Sequence, residues 1–117
     1  RQSTDITAIH DPEVANAVSF IRKNARQNIR VDQVVAATIL SRRVLEMRFQ
    51  TQLGRTILGE IRRVRTQQIA RLLIETRMSI LDIALDFGFT GTEHIARYFQ
   101  REKGMSLIEY REQYGQI

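Results

Sequence analysis

The chain of 117 residues has no cysteine and no tryptophan, a single proline, and two histidines. Without cysteine there is no disulfide, no thiolate metal site and no thiol nucleophile, which suits a reducing compartment. His10 and His94 stand far apart in sequence and form no pair with metal-ligand spacing. Glycine is scarce, and Gly54, Gly88 and Gly104 stand singly, as turn and cap residues do, not in a loop that cradles phosphate. No apolar run approaches the roughly 20 residues of a membrane span, and nothing in the residues given reads as a signal peptide, so none is expected. Strict apolar–polar alternation is also missing, which removes the pattern of half-buried strands. These absences predict a protein that is not an enzyme, holds no cofactor or metal, contacts no membrane, and works in the cytoplasm.

Arginine is abundant. Lys23 and Lys103 are the only lysines among eighteen basic residues, and the net charge is +5. Arginine offers a planar fork that fits phosphate and guanine edges, where lysine offers a point charge. The charge is unevenly placed: residues 31–65 hold seven arginines against three acidic residues, a net +4, and residues 81–115 hold four basic against six acidic, a net −2.

Apolar residues recur at intervals of three and four, so the chain is read as all-α, with about seven helices. Its second half states one pattern twice. Leu45, Phe49, Gly54 and Thr56 are answered by Ile95, Phe99, Gly104 and Ser106, and Val34, Val35 and Leu40 by Ile83, Ala84 and Phe89. The spacing is 50 residues in the first set and 49 in the second, so one residue is inserted where a turn belongs. The pattern predicts two helix-turn-helix subdomains joined by a long connecting helix.

Residues 1–10 read as a linker, the first subdomain covers 11–55, the connecting helix 56–76, and the second subdomain 77–117. Asp11 and Pro12 mark the start of a first helix. Ser41 caps a helix over Arg42–Gln52, with Leu45 and Phe49 inward and Arg42, Arg43, Glu46 and Gln50 outward. Ile57, Leu58, Ile61, Val64, Ile69, Leu72 and Leu73 form the connecting helix's apolar stripe. Ser79 and Asp82 suggest a capping box, and Gly88–Phe89 a turn. The helix over 91–103 turns Thr92, Glu93, Ala96 and Arg97 outward, and His94 reads as a surface or DNA-facing position. A connecting helix of about 30 Å matches the roughly 34 Å between major grooves on one side of a duplex. The reading is therefore a double-stranded DNA binder that places two recognition helices, about 42–52 and 91–103, in successive major grooves. Arg62, Arg63 and Arg65 are candidate phosphate contacts, and Glu93 either accepts from a cytosine or repels a phosphate.

Leu72-Leu73, Thr76, Ser79-Ile80, Ile83-Ala84, Gly88-Phe89, Ile95, Phe99, Gly104, Ser106 and Tyr110-Arg111 follow, in order and spacing, the signature of the AraC/XylS family of bacterial transcription regulators. The chain resembles that family's double helix-turn-helix domain over about residues 12 to 113. Val31-Asp32-Gln33-Val34, Leu40-Ser41-Arg42 and Leu45-Glu46 also resemble its xylose-responsive branch. The resemblance implies base reading by Arg43, Glu46 and Met47 in the first recognition helix, and by Thr92, Glu93, His94, Ala96 and Arg97 in the second. The chain departs from the family at Met47, where arginine is common, and at Arg48, which stands where an apolar residue is usual and is expected to reach toward a phosphate. Ile39 replaces a turn glycine, so that turn should be built differently, and Leu107 replaces a common proline. The resemblance further implies an activator in the bacterial nucleoid, controlled by a ligand bound in a separate N-terminal effector domain and working with RNA polymerase. Since the chain begins at Arg1, it is expected to be a piece of such a protein.

Two rivals remain. An RNA-binding module would present aromatics for stacking, whereas Phe49, Phe87, Phe89, Phe99 and Tyr110 fall on inward faces. A protein-docking module would contact RNA polymerase through the acidic second subdomain.

Overall fold

A computed structural model describes residues 9–115. The described residues form seven α-helices and no strand: α1 (Pro12–Asn24), α2 (Val31–Ala36), α3 (Arg42–Leu53), α4 (Ile57–Glu75), α5 (Ile80–Asp86), α6 (Thr92–Lys103) and α7 (Leu107–Tyr114). The all-α expectation holds. Most of the expected linker, residues 1–8, lies outside the described residues. The chain divides into two compact units, and the division falls inside α4, between Ile61 and Arg62; the second unit also takes in Arg26–Asn28.

In the first unit, the Asp11 carboxylate accepts from the Glu13 and Val14 amides at 3.0 and 3.3 Å, and Pro12 follows at the first helical position. These are the donors that a helix start leaves unsatisfied. Val14, Ala17, Val18 and Ile21 repeat at helical spacing and are buried. α1 packs on α2 and α3, whose buried residues are Val34, Leu45 and Phe49. Val31 and Val35 of α2 are half-buried. At the start of α4, Ile57, Ile61 and Val64 are buried, but Leu58 is 41% exposed, against expectation. At about 100° per residue, position 58 turns away from the line of 57, 61 and 64, and position 60 lies nearer to it. Glu60 takes that inward place, buried and hydrogen-bonded by the Arg55 Nε.

The second unit has its own core. Ile69, Ala70 and Leu73 of α4 meet Ile83, Ala84 and Phe87, Ile95 and Phe99, and Leu107. Ile80 is half-buried, at the margin of that core. Phe99 and Tyr110 meet edge to face at 5.3 Å between ring centroids, as do Phe89 and Tyr98. Truncating Phe99 to alanine in such a core costs about 3–5 kcal/mol. Arg65, expected to reach a phosphate, is instead buried in this unit. Its guanidinium donates to the Gln27 and Phe87 carbonyls and the Asn28 amide oxygen, and lies over the rings of Phe87, Phe89 and Tyr98. A buried cation is tolerated there because its donors are met and aromatic faces surround it. Arg111 closes the other end of α4, donating to the Leu73 and Thr76 carbonyls at 3.0 and 3.4 Å.

The repeat survives in detail. α3 and α6 are both 12 residues long, and each ends on a left-handed glycine, Gly54 at φ 71° and Gly104 at φ 72°. The turns before them differ. Gly88 takes φ 80°, whereas no non-glycine residue among those described has positive φ. Ile39, its counterpart, keeps an ordinary backbone, as its side chain requires. The Thr38 hydroxyl donates to the Val35 carbonyl and accepts from the Leu40 amide, and the Glu13 carboxylate accepts from the Ile39 amide. Side chains thus satisfy the donors that the first turn leaves open. Ser79 caps α5 through the Asp82 amide at 3.0 Å, with no return bond from the Asp82 carboxylate, so the expected box is half made. The full box occurs at α7, between Ser106 and Glu109. Leu107 fills the first position of α7 and is buried.

Candidate nucleic-acid interface

In α3 the buried Leu45 and Phe49 define the inward direction. At about 100° per residue, Met47 points opposite to it, Arg43 and Gln50 lie about 40° and 60° from Met47, and Glu46 and Arg48 sit on the two flanks. Exposure follows that geometry. Met47 is 60% exposed, Arg43 and Gln50 are exposed, and Glu46 and Arg48 are half-buried, while Arg42, about 40° from the inward direction, is exposed because it opens the helix. Ser41 is exposed and serves as the cap, its hydroxyl accepting from the Val44 amide at 3.3 Å.

The flanking residues hold the fold. Glu46 Oε1 accepts from the Ile57 amide at 3.0 Å, satisfying a donor at the start of α4. Arg48 Nη1 lies 3.3 Å from Asp11 Oδ2, so the carboxylate that caps α1 also holds a guanidinium of α3. The expected outward Glu46 is therefore only half outward, because position 46 turns part-way toward α4.

α6 repeats this layout within its own unit. Ile95 and Phe99 are buried, Arg97 points opposite to them, and Glu93 and Gln100 flank Arg97. Thr92, His94 and Ala96 are also exposed, and Arg97 Nη2 lies 3.2 Å from His94 Nδ1. α6 has no side-chain cap: Gly91 stands where α3 has Ser41. Gln100, not among the residues expected at the site, is exposed as well; it stands 50 residues after Gln50, so the repeat itself signals it.

Arg62 and Arg63 are half-buried, and Arg63 has a partner within the protein. Tyr98 lies on the inner flank of α6. Its hydroxyl is buried without a well-formed hydrogen bond, and burial pushes its pKa above the usual 10.0, an effect that the nearby Arg65 charge partly offsets. No group of three or more histidine or acidic side chains that would suit a metal occurs among the described residues, and no described helix is long and apolar enough to cross a membrane.

Comparison with known proteins places this arrangement. Residues 34–113 match a family described as a helix-turn-helix domain. The xylose operon regulatory protein of Escherichia coli K12 is 35% identical over 112 residues, which is 96% of this chain and 29% of that protein. Its counterpart in Haemophilus influenzae is 32% identical over 95% of this chain and 29% of its own length. The chain thus spans under a third of these curated relatives. A solved structure of a xylose-binding transcription activator superposes with a TM-score of 0.85 at 34% identity, covering 99% of this chain and 30% of that one. The DNA-binding domain of the global transcriptional factor AdpA, solved with a target DNA, gives 0.78 at 26% identity over 89% of this chain and 94% of its own. These relatives are transcription regulators, not enzymes, and with them the chain belongs to the AraC-type family of helix-turn-helix domains.

Proposed function

We propose that the chain is the sequence-reading part of a ligand-controlled transcription regulator, and that it binds double-stranded DNA by placing α3 and α6 in successive major grooves. The observation that carries this reading is the duplicated outward face. Two helices of 12 residues repeat at a fixed offset, and each turns polar and charged residues away from its core. A major groove about 12 Å wide admits one α-helix. The 19 residues of α4 span about 28 Å, on the scale of one duplex turn. Base contacts fall to Arg42, Arg43, Met47 and Gln50 in α3, and to Thr92, Glu93, His94, Ala96 and Arg97 in α6. Ser41 and Glu46 border the first set, while Arg48, Arg62 and Arg63 are the weaker phosphate contacts.

The longer relatives support an accompanying effector-binding domain, and the two named for the xylose operon support a sugar as its ligand. Selection of bound duplexes from a random pool tests the reading. Two enriched blocks about ten base pairs apart are expected, with log K falling by about 0.9 per neutralised phosphate as log salt rises. No enriched sequence and a flat salt response would overturn it.

A second reading, docking to RNA polymerase through the acidic second subdomain, is favoured by one observation. Leu81 and Leu85 stand exposed on α5 beside Asp82 and Asp86. Replacing both leucines with serine should lower activated transcription in vitro while DNA affinity stays level. Unchanged transcription would remove that contact.

A further inference from the structure

The repeat pairs Met47 of α3 with Arg97 of α6, and Arg43 with Glu93, each at the 50-residue offset. All four residues are exposed. Met47 points directly away from its core, at the centre of a face whose neighbours Arg43 and Gln50 are polar. Water gives an unbranched thioether no reason to stand there, yet Met47 is 60% exposed. In a major groove the only apolar feature on a base edge is the C5 methyl of thymine. Arg97, at the equivalent place in α6, has a fork that fits the O6 and N7 acceptors of guanine.

Resting on the DNA-reading function above, we propose that Met47 is a specificity-determining residue that selects thymine through its C5 methyl, at the position where the second copy takes guanine with Arg97. The flexible thioether covers the methyl without fixed hydrogen-bond geometry. Arg43 lies one turn earlier, about 6 Å along the helix axis and thus about two base steps away. There it meets a guanine, where Glu93 in the second copy accepts from a cytosine amino group. The two blocks of the site therefore differ in base content at both equivalent positions, and the site is a directional pair with no palindrome.

Deoxyuridine lacks only the C5 methyl, so it isolates this contact. The site recovered by random-pool selection is resynthesised with each thymine replaced singly by deoxyuridine, and binding is measured by competition. In the first block, one replacement should weaken the unaltered protein about fourfold, the worth of one buried methyl-sized group. The same replacement should change binding of Met47→Ala by less than about 1.5-fold. A new selection with Met47→Arg should shift that one position from thymine to guanine, by at least about fivefold, and leave the second block unchanged. A first block with no thymine, a flat deoxyuridine scan, or an equal penalty in Met47→Ala would overturn the assignment while leaving the two-block reading intact. Failure to recover two blocks at all would overturn both.

Discussion

Gly88 should be the least replaceable of the three glycines with positive φ, and its neighbours set the size of the effect. An L-residue at a left-handed position costs about 1–2 kcal/mol from backbone contacts alone. Gly54 and Gly104 have φ 71° and 72° with nothing within 4 Å of an added methyl, so alanine there should cost that much and no more. At Gly88, φ is 80° and the methyl would lie 2.9 Å from the Asn28 amide nitrogen and 3.2 Å from its Cγ. That amide donates to the Gly88 carbonyl at 2.9 Å and accepts from Arg65 at 3.3 Å. Asn28 is the end of a flexible side chain and can move, but doing so forfeits both bonds, worth about 0.5–1.5 kcal/mol each and at the low end because Asn28 is exposed. Gly88→Ala should therefore cost about 2–3 kcal/mol, against about 1–2 for Gly104→Ala in the same unit. Urea denaturation of both variants measures the difference. Asn28→Ala made together with Gly88→Ala should cost less than the sum of the two single changes, because the crowded amide is gone. Equal costs for Gly88→Ala and Gly104→Ala, or strict additivity with Asn28→Ala, would refute the reasoning. Because this turn leads into α6, Gly88→Ala should also weaken reading of one block of the DNA site and spare the other.

Asp11→Asn keeps the cap of α1 but removes the charge that holds Arg48, so DNA affinity should rise at low salt and the salt slope steepen by up to about 0.9; an unchanged slope would mean that Arg48 reaches no phosphate. Arg97→Ala should relax base preference in a single block and cost about 1–3 kcal/mol in specific affinity; a selection altered in both blocks would contradict the division of labour. Tyr98 gives an alkaline signature. Because burial raises its folded pKa above 10.0, the unfolded chain releases that proton first, so this contribution to stability is complete below pH 10 and is lost as pH climbs toward the raised value. Tyr98→Phe should abolish that loss and cost little stability at neutral pH, since it removes a buried hydroxyl without a well-formed hydrogen bond; a loss above about 1 kcal/mol would show that the hydroxyl is satisfied.

Much of this fold is legible in the sequence because the rules that set it are local. Asp11-Pro12, Ser41 and Ser106 start helices, and Gly54 and Gly104 end them, through bonds that span three or four residues. The 50-residue offset then transfers the inward positions and the glycine stop of α3 to α6, though not its serine cap. Legibility fails where a side chain answers to a distant segment. Nothing near Arg65 in sequence shows that its partners are Gln27, Asn28 and Phe87, or that a charged residue will be buried. Leu58 was placed inward by its chemistry, although the helical angle assigns that side to Glu60, whose burial is made tolerable by Arg55. For the candidate site, direction was readable and occupancy was not. Periodicity placed Arg43, Gln50 and Arg97 outward, and the family resemblance added Met47. It could not show that Glu46 would be held by the Ile57 amide, or Arg48 by Asp11.

The same distinction governs how the arginine excess should be read. A net charge of +5 invites a uniform basic surface, but much of the guanidinium content is committed inside the units. Arg65 and Arg111 tie loops and helix ends, Arg55 neutralises a buried carboxylate, and Arg26 and Arg48 are paired with Asp86 and Asp11. At Arg55, Arg65 and Arg111 different nitrogens of the fork reach separate acceptors, which a lysine could not do. The near-absence of lysine thus reflects internal architecture as much as any polyanion outside. What remains outward on α3 is Arg42 and Arg43, and on α6 Arg97 and Arg101. Two recognition faces with so few arginines must draw much of their selectivity from shape and from uncharged contacts. In α3 the residue placed to make such a contact is Met47.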